Sequence, residues 1–275
     1  MTATKQTNLS AIGMHFDNWQ DAVEAAIATN QLMVTGEVRG GQLVQFNDTS
    51  GAQLNILAVE PFSTFVGFNS LSQTYAHVEM INDVLALCEI VDPSGAPLKT
   101  VTAHLAQGPL LADEPAQPWQ QLTVAALADE ASTSVDAEDW QHQHPETPLG
   151  AVESHGVAVI SSGSGAQAPD ASATFSGRVM QSTTLRNQLT GQEFHHVVLD
   201  SEFPLDVCIP AESLDKLPEK GEILHGAGTL TASILAPTGG CGCGSGGCGG
   251  CGGHDHGSSA ANSGGCGSGC GCGGH

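Results

Sequence analysis

The last 37 residues constrain this chain most. Residues 239–275 hold eighteen glycines, seven of the nine cysteines and three of the twelve histidines, with no Phe, Tyr or Trp and no other apolar side chain larger than alanine. Such a segment cannot bury enough surface to offset the entropy of ordering it, so it is expected to be disordered unless a ligand organises it. It has nothing to add to a hydrophobic core, so any stable fold must come from the residues before it. What it does carry is thiolate and imidazole, the donors that soft and borderline metal ions take.

The spacing of those donors is local. Cys241 and Cys243, and Cys270 and Cys272, are C-x-C pairs; Cys248 and Cys251 form C-x-x-C, and His254 and His256 form H-x-H. Once one member of a close pair binds an ion, its neighbour is already nearby at high effective concentration. The flanking glycines let the backbone wrap to a tetrahedral geometry without side-chain clash. Cys241, Cys243, Cys248 and Cys251 would make one four-sulfur site. Cys266, Cys270, Cys272 and His275 would make a second, with His254 and His256 as alternates. The donor set fits zinc first, with copper(I) or nickel also accommodated; the excess of cysteine favours zinc or copper(I) over nickel. Two other readings stay open: a low-complexity extension without a ligand, and a substrate for modification.

Disulfides are the competing use of so many cysteines. Nine is odd, and residues 1–13 contain one lysine and no secretory apolar run, so a reduced, cytoplasmic setting is expected. No stretch of about 18 apolar residues marks a membrane span.

In its Gly/Cys/His composition and in segments such as Cys251-Gly252-Gly253-His254-Asp255-His256, the tail resembles the Cys/His-rich C-terminal extensions of bacterial nickel and zinc accessory proteins (the urease metallochaperones and metal-binding peptidyl-prolyl isomerases). That resemblance covers 37 of 275 residues and implies metal binding, with a recipient protein as a further partner. Cys241-Gly242-Cys243 also resembles the Cys-Gly-Cys end of A-type iron–sulfur carriers, which need another cysteine upstream; Cys88 and Cys208 lack a matching context.

Charge narrows the partners of the remainder. Outside the tail there are 28 acidic residues against seven basic, a net charge of −21. So negative a surface repels nucleic acid and anionic lipid and attracts cations, so neither nucleic acid nor membrane is an expected partner.

The pattern before the tail predicts an α+β, mostly β chain in two units. Residues 1–128 form the first. It opens with a strand over 11–16 and a helix that Asp17 caps with Gln20 and that ends near Asn30, with Trp19, Val23, Ala26 and Ile27 along one face. Strands over 32–38 and 43–46 flank an Arg39-Gly40-Gly41-Gln42 hairpin turn, and another follows over 53–59. This order resembles the βαβββ half-module of the glyoxalase and extradiol dioxygenase superfamily, which would bring His15 and Glu60 to the comparable metal-binding strands. Antiparallel strands follow over 74–81, 84–91, 98–105 and 119–127, with Cys88 in an apolar run as an inert buried thiol.

Residues 129–148 carry six acidic side chains and no basic one, and read as a solvated linker. Within it His142 and His144 form an H-x-H pair beside Asp136, Glu138 and Asp139, a candidate weak cation site. Residues 149–237 read as a small OB-like β-barrel: strands over 151–160, 173–181, 193–199, 203–209 and 223–235, the last broken at Gly226 and Gly228, with a helical turn over 210–214. Arg178, Arg186, Lys216 and Lys220 are its only bases, too few for a nucleic-acid groove. His195 and His196 are adjacent on a strand and point to opposite faces; Cys208 and His225 are the other residues of chemical interest. Residues 238–275 complete the division. The two folded units together resemble a bacterial two-domain arrangement from which no function carries over.

No G-x-S-x-G, P-loop, dinucleotide fingerprint or H-E-x-x-H occurs. The sequence therefore favours a non-enzymatic metal-binding accessory, storage or chaperone protein. The alternative is a protein-binding scaffold with an incidental tail.

Overall fold

The computed structural model describes residues 8–235, so every tail ligand named above lies outside the described residues. The fold is mostly β: a four-stranded antiparallel sheet and a nine-stranded mixed sheet.

The apolar run at 11–16, expected as a strand, is instead a buried 3-10 turn over Ser10–Ile12. Gly13 closes it in the left-handed region (φ 68°), its N–H donating to the Ser10 carbonyl. The carbonyls of this segment find partners on a distant loop: Asn187 Nδ2 donates to Ile12 O at 3.0 Å and Thr190 Oγ1 to Gly13 O at 2.5 Å. Buried backbone groups must be paired somewhere, and here a loop replaces the ladder. Leu9, Ala11, Ile12 and Met14 thus form an apolar plug.

Helix α1 (Trp19–Ala28) is capped by Asn18, one residue later than expected; the Asn18 side chain accepts from Asp21 N at 3.0 Å and donates to Asp21 Oδ2. The cap sets which face is buried. Ala22 and Ala26 go inside, and Trp19 and Ile27, expected on the inner face, are 36% and 52% exposed.

The first sheet runs β1 (Met33–Val38), β2 (Gly41–Asn47), β3 (Ala52–Leu57), β4 (Ser63–Phe68) in order. Arg39 and Gly40 both take positive φ between paired Val38 and Gly41, the two-residue hairpin that the sequence announces. Strand β4 is an addition to the expected set.

The second sheet is built from β5 (Thr74–Met80), β6 (Leu85–Val91), β7 (Pro97–Leu105), β8 (Gln117–Ser134), β9 (Val152–Ser154), β10 (Ser172–Arg186), β11 (Glu193–Asp200), β12 (Leu205–Pro210) and β13 (Ile223–Ile234). Its order is β11-β12-β8-β5-β6-β7-β13-β10-β9, with further pairings of β10 with β11 and of β8 with β13. Those pairings close two circuits that share β8 and β13. In the first, β5, β6 and β7 form an antiparallel meander, β8 returns to β5, and β7 runs parallel to β13. In the second, β10, β11 and β12 form the meander, β13 returns to β10, and β12 runs parallel to β8. The two halves repeat one strand order around the antiparallel β8–β13 pair.

This arrangement revises the expected division at 129–148. Residues on both sides of it join one sheet, and residues 8–235 fall within one compact unit. Residues 129–134 extend β8, and α3 (Ala137–Gln143) follows, capped by Asp136, whose carboxylate accepts from Glu138 N and Asp139 N. An acidic run is compatible with structure when a carboxylate caps a helix and an aromatic anchors it; Trp140 is 3% exposed. The strand expected over 151–160 is only β9, followed by α4 (His155–Ser162). A short β-branched run does not distinguish helix from strand by periodicity. The short α2 (Gly108–Leu111) and a 3-10 turn over Ala211–Ser213 complete the elements.

Strand β13 is not broken at its glycines. A Cβ on Gly226 would lie 2.1 Å from Glu130 O, and one on Gly228 2.2 Å from Leu127 O. The missing side chains let β13 close onto β8 around a bulge.

Alternation along β8 divides the interior. Leu122, Val124, Ala126 and Ala128 face the core of the nine-stranded sheet. Ala125 and Leu127 face the second core, with α1, the plug, the first sheet, Phe194 and Cys208.

Candidate functional site

The segment expected to be a linker builds the most distinctive site. Helix α3 lies against the sheet where β8, β10 and β13 meet, leaving a cleft of about 370 Å³. Trp140 is its buried wall. The indole stacks on His144 with ring centres 4.0 Å apart and planes 26° from parallel. His225, on β13, approaches the indole to 4.8 Å and the His144 ring to 4.9 Å, at 63° to the latter. Phe175, Glu130 and Glu153 line the same space.

Local structure fixes these positions. His144 ends α3, its N–H donating to Trp140 O at 2.8 Å, which places the imidazole over the indole. His225 precedes Gly226, where a Cβ would collide with Glu130 O on β8. Burial, reinforced by neighbouring His144, holds the His225 imidazole below its ordinary pKa, so it is neutral at physiological pH. Neither imidazole makes a ring hydrogen bond among the described residues. Trp140 Nε1 is buried without an acceptor, which costs about 1–3 kcal/mol in a closed site. Glu153 is held by Lys99 at 3.0 Å, whereas Glu130 has no ion-pair partner among the described residues.

Of the H-x-H pair, only His144 enters this cleft. His142 lies two residues back on α3, on another face, beside Glu138 and Asp139. His225, singled out from sequence without a partner, finds one in His144. The sequence signals were the Asp136 cap and a lone tryptophan in an acidic run; the β8–β13 pairing that delivers His225 had none.

The other candidates separate. His15 bonds Ser10 Oγ through Nδ1 at 3.1 Å, and the cleft beside it is lined by Glu193 and Glu212, not Glu60. Burial pushes the Cys88 thiol up to about 12, and raises Cys208 with help from Asp206. His195 bonds Thr184 at 3.1 Å, and burial lowers its pKa. His196, on the opposite face, contacts Asp206 at 2.5 Å (Nε2 to Oδ1) and packs on Phe68. Asp206 is fully buried, and its second oxygen accepts from Ser72 N at 3.2 Å. Among the described residues, no three His, Cys, Asp or Glu side chains already converge on one ion position.

One surface feature stands apart. Trp119, 51% exposed, holds a positive φ of 54° and donates its backbone N–H to His77 Nδ1 at 3.2 Å. Tyr75, 40% exposed, lies beside it with ring centres 6.5 Å apart. A bulky residue in the left-handed region stores strain of about 1–3 kcal/mol.

Among the described residues no helix is long and apolar enough to cross a membrane. Comparison with known proteins finds no matching family model, no matching curated protein and no matching solved structure.

Proposed function

We propose that this chain is a non-enzymatic metal-binding accessory, storage or chaperone protein whose ligands are Cys241, Cys243, Cys248, Cys251, His254, His256, Cys266, Cys270, Cys272 and His275. One observation carries the reading: ten soft and borderline donors, paired at chelating spacings, within 37 glycine-rich residues. Zinc is the first expectation and copper(I) or nickel the alternatives. The acidic body is a carrier that keeps the cargo soluble, works in the cytoplasm and avoids nucleic acid and membranes. Its second strand circuit takes the place of the expected OB-like barrel, with β8 as a member. A recipient protein would then take the ion by ligand exchange.

The test is a zinc competition titration of the reduced full chain beside a variant with all seven tail cysteines changed to serine. The full chain is expected to bind about two more ions, at four ligands each. Equal stoichiometry in both would remove the proposal.

The exposed Tyr75–Trp119 pair favours a second reading, a protein-binding scaffold, because a strained aromatic held at the surface is expensive to keep without use. Affinity capture should then lose its partner on Trp119→Ala and keep it when the tail cysteines are changed.

A further inference from the structure

The cleft at α3 has a chemistry of its own, independent of the tail. Its lining contains no lysine or arginine, so it has no permanently charged cation to hold an anion. Among the described residues it presents two imidazoles without ring hydrogen bonds and two carboxylates. Imidazole with carboxylate is the donor set of borderline divalent ions, rather than of calcium or magnesium.

The separation of the imidazoles fits one shared ion. A metal–nitrogen bond is about 2.0–2.1 Å and the ring centre lies about 1.1 Å beyond the nitrogen, so two imidazoles at a tetrahedral angle have centres roughly 5 Å apart. His144 and His225 have centres 4.9 Å apart. The stack on Trp140 holds the His144 ring in place, so little ordering entropy remains to be lost on binding.

We propose that the cleft between α3 and the β8–β13 pair is a divalent transition-metal site, with His144 and His225 as its nitrogen ligands and Glu130 as its carboxylate. Glu153 is already engaged by Lys99. Glu130 is exposed and pairs with Ala227, two residues from His225 on the same face of the β8–β13 pair, so its side chain can supply the third group that the empty geometry does not yet gather. Water fills the remaining position. The site lies in the folded body and takes harder ions than the thiolates of the tail, so the chain would hold two classes of metal.

The experiment uses the full chain with its accessible thiols alkylated, so the tail cysteines are silent. In a Trp19→Phe, Trp119→Phe background Trp140 is the sole tryptophan. Copper(II) quenches a nearby indole, and zinc does not. The expected result is saturable quenching of Trp140 emission at one copper per chain, reversed by a chelator such as EDTA. Outer-shell partners alone are worth about 10–100-fold in metal affinity, so His225→Ala or His144→Ala should weaken the quench at least about tenfold. Glu130→Gln should weaken it less. His144, at the end of α3, serves as the second variant if His225→Ala fails to fold; circular dichroism decides that. Tail histidines are untouched by these changes, and quenching that is unsaturable, or unchanged in both histidine variants, would overturn the site. Neither result bears on thiolate binding by the tail.

Discussion

Replacing Asp206 with alanine is expected to damage the body more than any surface change. Its carboxylate lies on β12 at 0% side-chain exposure, 2.5 Å from His196 Nε2, and the imidazole partner is only 5% exposed. The second oxygen satisfies Ser72 N. Removing one member of a buried pair leaves the other uncompensated, at a cost of about 3–5 kcal/mol. Total stability for a domain is about 5–15 kcal/mol, so this is a large fraction of it. At about 2–4 °C per kcal/mol for a unit of this size, Tm should fall by roughly 6–20 °C. Calorimetry of the full chain measures it, and urea titration should show a lower midpoint with an unchanged slope. Asp206→Asn keeps the shape and an acceptor for Ser72 N and should cost less. Lys99→Ala, which breaks a partly exposed pair with Glu153, should cost less than about 1 kcal/mol. A loss below about 1 kcal/mol for Asp206→Ala would refute the reasoning, because the pair would then not be acting as a buried one.

His104, His195 and His225 all have pKa values lowered first by burial, so the unfolded chain binds more protons as pH falls. Their contribution is therefore complete above the ordinary imidazole pKa of about 6.5 and is lost below it, and a urea midpoint that stays flat from neutral pH to pH 5 would contradict this. Gly226→Ala drives a Cβ to 2.1 Å from Glu130 O, so the β8–β13 pair must shift, at about 1–3 kcal/mol by chemical denaturation; a neutral substitution would show that the strands are not so close. Cys88 and Cys208 are buried with raised thiol pKa values, so native protein should leave two of nine thiols unmodified until denaturant is added; full native reactivity would contradict their burial.

Local signals in the sequence served well where neighbours in sequence are neighbours in space. Arg39-Gly40 marks its hairpin, and the runs that form β5 to β7 and β10 to β12 pair with close sequence neighbours. Long-range pairing was invisible. Asp206–Cys208 running parallel to Ala125–Leu127, and Thr231–Ala232 to His104–Leu105, tie the two halves together with no local mark in either partner. Acidity misled at 129–148, since charge reports solvation of a face and not the absence of a strand behind it. For the same reason His144 was visible as a candidate, while its meeting with His225 depended on a strand register that only the folded chain supplies. Gly226 and Gly228 looked like breaks because glycine marks both a break and a close approach, and only the neighbour decides between them.

The most direct measurement is elemental analysis of the full chain purified under reducing conditions, with and without the seven tail cysteines. The account expects about two more zinc ions, or copper(I) or nickel in their place, in the intact chain than in the chain whose tail cysteines are serine. A reduced chain that carries no metal even after zinc is supplied, or one whose metal content does not change with the tail cysteines, would contradict it.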